Sequence, residues 1–229
     1  MDEQTIEALI LSEFYDIITE NKKQMFDRIA AQRTKHVTVV LENIYQEHNA
    51  SAVIRSCDCF GIQELHVIEK NNAYKVQRDI ALGAGRWVDM YNYDRGDSVS
   101  MDCISKLKNN GYSIIATSPH ATKEIHELDL NKPIALLFGT ERKGLSQEII
   151  DQSDDFVKLP MYGFTESFNI SVSVALCLQS IRQQLESTDM KWKLSEQEQI
   201  ELKIKWCRKI LNGGEKLEAY FREKYIKIN

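Results

Sequence analysis

Apolar positions along the chain follow two alternating periods. From residue 3 to 32, Ile6, Leu9, Ile10, Phe14, Ile17 and Ile18 recur at helical spacing without proline or glycine, which predicts one helix over 3–32. The β-branched run Val37-Thr-Val-Val-Leu41 then reads as a buried strand. A helix is expected over 49–60, strands over 65–68 and 87–93, and an amphipathic helix over 101–110 closed by Gly111. Strands over 112–117 and 134–138, a short helix from Ser146 and a strand over 156–159 complete the series. Strands alternating with helices at this pace define an α/β domain with a mostly parallel sheet. Beyond Thr188 the composition turns rich in Lys, Glu and Gln with no strand candidate, predicting surface helices split at Gly213-Gly214. The organisation is therefore a helical extension over 1–35, an α/β domain over 36–188 and a second helical extension over 189–229.

One stretch stands apart. Pro160 ends a strand because it has no N–H for the ladder, and Gly163 permits a sharp hinge. Ser167 occupies an N-cap position ahead of Ile170, Val172, Val174, Ala175, Leu176 and Leu178, so a helix with almost no polar side follows. Ser167, Asn169, Ser171 and Ser173 load its start with small polar groups. Buried, such groups need partners, so the helix start packs on other backbone or lines a polar pocket.

Composition narrows the class. The chain has 229 residues, 43% hydrophobic and 28% charged, and no apolar run long enough to cross a membrane. Its acidic first residues lack the apolar core of a signal peptide, so a cytoplasmic location is expected. Five scattered cysteines (57, 59, 103, 177, 207) without zinc spacing point to reduced thiols and no metal. A net charge of −5 does not advertise a nucleic-acid binder, yet Lys22, Lys23, Arg28, Arg33 and Lys35 face only Asp27 locally. Lys203, Lys205, Arg208 and Lys209 form a second basic stretch. Either stretch also reads as an ordinary solvated helix face.

Candidate chemistry lies at three strand ends. In the first, Ala50, Val53, Ile54 and Cys57 form a core-facing stripe, whereas Arg55 shares the other side with Ser51, Ala52 and Asp58. Asn49 there fits an N-cap, and Arg55 fits either an i,i+3 pair with Asp58 or a phosphate clamp, since guanidinium matches phosphate with two parallel bonds. In the second, Gly139 and Gly144 have phosphate-loop spacing, but Leu145 stands where that loop needs lysine, so a nucleotide-triphosphatase is excluded. No G-x-G-x-x-G follows a strand, which leaves a standard dinucleotide fold unsupported. In the third, backbone groups at Leu159 and Met161, flanked by Gly139, suit a flat heterocycle. The residues alone define a ligand pocket made by three strand ends.

His48-Asn49-x-x-Ala52-x-x-Arg55, Phe138-Gly-Thr-Glu-Arg-x-Gly-Leu-Ser146 and Leu159-Pro-Met-x-Gly…Glu166-Ser-Phe-Asn-Ile-Ser-Val172 resemble, in order, the three motifs of the SPOUT-class ribose 2′-O-methyltransferases. The likeness spans about residues 35–188 and is greatest to the tRNA guanosine-2′-O-methyltransferase subfamily, because the flanks are helical and no separate N-terminal substrate domain is present. It implies a deep C-terminal trefoil knot, S-adenosyl-L-methionine as cofactor, tRNA as partner and a homodimer built on the apolar helix. Carried onto this chain, it implies cofactor contacts at Thr117, Gly139, Leu159, Met161, Ser167 and Phe168, the last replacing a commoner leucine. It implies Arg55 as the key catalytic residue, with Asn49 and Glu141 holding Arg55 and the loop, and Asn169 orienting the pocket. RNA contacts would come from Lys22, Lys23, Arg28, Arg33, Lys35, Arg86 and Arg182. The expected reaction is methylation of the D-loop guanosine at tRNA position 18; rRNA or another tRNA site, or a catalytically silent RNA-binding module, are the alternatives.

Overall fold

The computed structural model describes residues 2–44, 46–70 and 83–226, and divides into two compact units. One unit comprises residues 34–192. Its elements are β1 (Val37–Glu42), α3 (Glu47–Cys59), β2 (Glu64–Ile68), β3 (Asp89–Tyr93), α4 (Val99–Asn109), β4 (Ser113–Thr117), β5 (Lys123–Glu124), β6 (Ile134–Phe138), α5 (Gln147–Ile150), β7 (Asp155–Lys158) and α6 (Ile170–Glu186). The other unit holds α1 (Glu3–Ile17), α2 (Glu20–Ala30), α7 (Glu196–Ile210) and α8 (Gly214–Ile226).

All strand pairs in the larger unit are parallel, in the order β3-β2-β1-β6-β4-β7-β5. The central strands β1 and β6 are buried at every position, as expected of a sheet covered on both faces. Their side chains alternate between two cores. Val37, Val39, Leu41, Leu136 and Phe138 join Val53, Ile54, Val174, Leu178 and Ile181 of α3 and α6 on one face. Val40, Ala135 and Leu137 meet Cys103, Ile104 and Leu107 of α4 and Ile149 of α5 on the other. A one-residue slip in either strand would exchange these faces, so the pattern fixes the register. β1 and β6 accordingly pair Val39 with Leu136 and Leu41 with Phe138.

The helical unit is held by aromatic anchors. Phe14 meets Phe221 edge-on at 5.3 Å, and Phe26 meets Trp206 at 5.2 Å. The expected single helix over 3–32 is two: Ile18 and Thr19 are extended (ψ 159° and 151°) between α1 and α2. Ile17, Ile18 and Thr19 are consecutive β-branched residues, whose restricted χ1 disfavours helix and whose extended form is cheap. The helices on either side of Gly213 form as expected. Strand β3 starts at Asp89 rather than Trp87, because Ala84–Arg86 forms a turn of 3-10 helix ending on Trp87. All five cysteines are free thiols, and only Cys59 is exposed. Among the described residues no helix is long and apolar enough to cross a membrane, and no group of side chains could hold a metal ion.

Near the β3 edge, His66 is buried and stacks on Tyr91 at 4.9 Å and Tyr93 at 5.8 Å, with Nδ1 3.0 Å from the Tyr93 hydroxyl. Burial first, and the Lys106 ammonium second, push its pKa down to about 4. Between the ordinary value of 6.5 and that lowered value, the unfolded chain binds a proton that the folded chain refuses. Stability from neutral His66 is therefore complete above pH 6.5 and is lost as pH falls towards 4, by about 3 kcal/mol in all. Denaturant titrations of wild type and His66→Gln across this window check it: the variant should lack this share of the acid-induced loss, and parallel pH profiles would contradict the assignment.

Candidate active site

The site begins where β6 runs out of apolar residues. After Phe138 the chain folds back on itself, and Thr140 and Gly144 exchange backbone bonds (3.0 and 2.8 Å). A Cβ at Gly139 would stand 2.1 Å from the Gly144 carbonyl carbon, so no other residue fits without moving the backbone. Gly144 closes the turn at φ +65°. The Thr140 hydroxyl accepts the Lys143 N–H at 3.1 Å, and the Ser146 N–H, at the start of α5, donates to Glu42 at 2.8 Å. The loop is thus bonded at both ends, which matters because the 141–144 stretch between them is exposed.

Beyond the ends of β4, β6 and β7 lies a cavity of about 460 Å³. That is within the range of about 300–1,000 Å³ typical of small-molecule sites. Thr117, Gly139, Leu159, Met161, Ser167 and Phe168 all line it, together with Glu141. The Thr117 hydroxyl is spent on the Leu137 carbonyl (2.7 Å), so it braces β4 against β6 instead of reaching for a ligand. Sequence reasoning missed Ser118, Pro119 and His120, the lining residues that follow β4. They carry no motif; their one signal is position, directly after the carboxyl end of a strand. Glu166, within the third motif, also lines the cavity. A floor including Phe138, Leu145 and Ile170 with polar groups around it suits a flat ring bearing a polar chain; Glu141 and Glu166 share the lining with Arg142, Lys143 and Lys158, so both signs of charge are present.

Beside the cavity three segments meet. Asn169 gives Nδ2–H bonds to Asn49 Oδ1 (3.0 Å) and Glu141 Oε1 (3.0 Å). Asn49 Nδ2 donates to the same Glu141 oxygen (3.2 Å) and to Gln46 Oε1 (3.0 Å). Asn169 Oδ1 meanwhile accepts from the Ser171 N–H (2.9 Å) and hydroxyl (2.7 Å), capping α6. Every polar atom of the Asn169 amide is used, so its orientation is determined. The helix cap is therefore Asn169 and not Ser167: the chain stays irregular until Ile170, leaving Ser167 exposed on the cavity wall.

Arg55 is not part of this junction. It lies six residues after Asn49, about 120° round the helix from it, exposed and without an ion pair or hydrogen bond among the described residues. It does not line the cavity of its own chain, Asn49 and Glu141 bind each other and not Arg55, and the alternative pair with Asp58 is not formed. Ser51, expected on the Arg55 side, is fully buried. Among the basic residues, Arg28 and Arg86 are exposed, while Lys22, Lys23 and Lys35 are half-buried, Lys23 lying 3.5 Å from Glu20. Two others are engaged within the fold. Arg33 is buried over the Trp206 ring (5.6 Å), out of reach of a phosphate. Arg182 is committed to Glu186 (2.8 Å), the Phe60 carbonyl (3.3 Å) and the Trp192 ring (4.4 Å). In the C-terminal stretch Lys203 pairs with Asp27 (2.8 Å) and Arg208 with Glu218 (3.0 Å). The α6 helix is not buried all round: Val172 and Leu176 are 43% and 41% exposed, next to Phe168 at 41%.

Several known RNA-modifying proteins are similar to the chain. A tRNA (guanosine(18)-2'-O)-methyltransferase from Borreliella burgdorferi is 37% identical over 220 residues, covering 95% of this chain and 98% of that one. The enzyme of the same name from Thermus thermophilus is 32% identical, over 74% of this chain and 86% of its own. The crystal structure of an A. aeolicus TrmH/SpoU tRNA modifying enzyme superposes with a TM-score of 0.73 at 29% identity, covering 83% of this chain and 98% of that one. Residues 36–179 match the SpoU rRNA Methylase family, and the chain belongs to that family.

Proposed function

We propose that this protein transfers a methyl group from S-adenosyl-L-methionine to the ribose 2′-hydroxyl of the D-loop guanosine at position 18 of tRNA, the activity residing in residues 36–188. The observation that carries this reading is the cavity at the ends of β4, β6 and β7, lined by residues of two of the family-like motifs and bordered by the Asn49–Glu141–Asn169 junction that ties in the third. The name of the Borreliella burgdorferi relative, which covers 95% of the chain, supports the substrate. In the same reading the C-terminal portion of the α/β domain threads a loop to make a deep trefoil knot.

The bound cofactor supplies an electrophilic methyl on a sulfonium, a good leaving group. What this chain must add is position and a cheaper deprotonation of a weakly acidic alcohol. Gly139, Leu159 and Met161 offer backbone to a flat ring, and Thr117, Ser167 and Phe168 shape its walls. Asn49, Glu141 and Asn169 hold the three segments in register. Arg55 anchors the substrate phosphate by paired N–H bonds and stabilises the forming alkoxide; with a pKa above about 12 it is poorly suited to accept the proton.

The protein works as a homodimer in this reading. Phe168, Val172 and Leu176 form an apolar face beside the cavity. Since α6 packs on α3, a second copy on that face brings Arg55 towards a cavity other than its own. Lys22, Lys23 and Arg28, with Lys35 and Arg86, would meet tRNA phosphates.

Three measurements check these roles. Unmodified tRNA incubated with labelled methyl donor should carry label at guanosine 18, and Arg55→Ala should lose transfer by at least about 100-fold while donor affinity stays near wild type; label elsewhere, or a fully active variant, contradicts the reading. Leu176→Glu should shift the sedimenting species from dimer to monomer, and an unchanged dimer would remove that face from the interface. Arg28→Ala should weaken tRNA binding across sequences and lower the slope of log affinity against log salt by about one, whereas an unchanged slope would place Arg28 away from phosphate.

A further inference from the structure

Glu42 ends β1 with a side chain that is 2% exposed. Its Oε2 accepts the Ser146 N–H at 2.8 Å, and its Oε1 is buried with no partner. Among the described residues no cation pairs with it; Lys70, two residues after β2, pairs with Glu148 of α5 at 3.0 Å. A buried carboxylate with one bond is costly, and an apolar side chain in such a place is generally neutral or stabilising. Stability therefore gives no reason for a glutamate at this position.

Geometry gives one. Leu41 pairs with Phe138, so Glu42 lies one step beyond the last residue pair of β1 and β6, where the 139–145 loop departs. The sheet fixes the loop's beginning, and the Glu42–Ser146 bond fixes its end, across 104 residues of sequence. Between these points stand Gly139, Glu141 and Leu145 of the cavity wall. We propose that Glu42 is a positioning residue for the methyl-donor loop, holding it closed through the Ser146 N–H; this rests on the donor site assigned above. The function needs an acceptor at the right reach and does not need the charge.

Reach and charge are separable. S-Adenosylhomocysteine titrated calorimetrically into the full-length protein is the probe. Glu42→Gln keeps an oxygen for the Ser146 N–H and should bind it as wild type does. Glu42→Asp keeps the charge but withdraws the oxygen by one methylene, and should bind about tenfold more weakly, the equivalent of one net hydrogen bond. Glu42→Leu should weaken binding equally without lowering the thermal midpoint, separating a positioning role from a structural one. Wild-type affinity in Glu42→Asp, or Glu42→Gln as weak as Glu42→Asp, overturns the proposal; the aspartate and glutamine variants decide it even if the leucine variant fails to fold. A wild-type protein that does not bind the probe overturns the donor-site reading and this proposal together.

Discussion

Glu141 Oε1 receives two amide N–H bonds, one from Asn49 and one from Asn169, residues 92 and 28 positions away. Around that oxygen the start of α3, the loop after β6 and the cap of α6 are held together beside the cavity. Asn169 is the most constrained member, because the same amide that reaches Glu141 also caps α6 through its oxygen. Hydrogen bonds to a charged acceptor contribute roughly 1.5–3 kcal/mol each, enough to hold one loop arrangement over its neighbours but not to carry the fold. The fold is carried by the two apolar layers on either side of β1 and β6.

This division explains why the site is made of backbone and small polar groups. A parallel sheet buried on both faces sends its strand ends to one edge, where the next residues leave the core. At β6 that residue is Gly139, packed so closely on Gly144 that the loop returns at once instead of wandering into solvent. Glu42 and Asn49 are buried although the 141–144 stretch is exposed, so the loop is held from its buried side. The exposed apolar face of α6 continues from the same edge, which links the ligand cavity to the surface assigned to a second copy.

Much of this was legible in the residues. The strand and helix order followed from the switch between periods, and Gly139 and Pro160 marked the strand ends through their own backbone chemistry; Asn49, expected as a helix cap, instead lies inside α3, which starts at Glu47 with Gln46 before it. What escaped depends on partners distant in sequence. Arg33 looks like one of several solvated cations until Trp206, far along the chain, covers it. Arg182 reads as a free basic residue until Phe60 and Trp192 engage it. Glu42 sits in a strand whose apolar run gives no hint that its last side chain turns to Ser146. Ser167 and Asn169 are both good caps, and only the demand of Glu141 and Asn49 on the second amide selects between them.

In the proposed function, segments distant in sequence converge on one methyl-donor cavity beyond the ends of β4, β6 and β7. A crystal structure of the protein with S-adenosylhomocysteine tests it most directly. The account predicts the ring of the ligand against the backbone of Gly139, Leu159 and Met161, with the Asn49–Glu141–Asn169 junction intact beside it. A ligand seated elsewhere, or bound with that junction broken and the three segments apart, would contradict it.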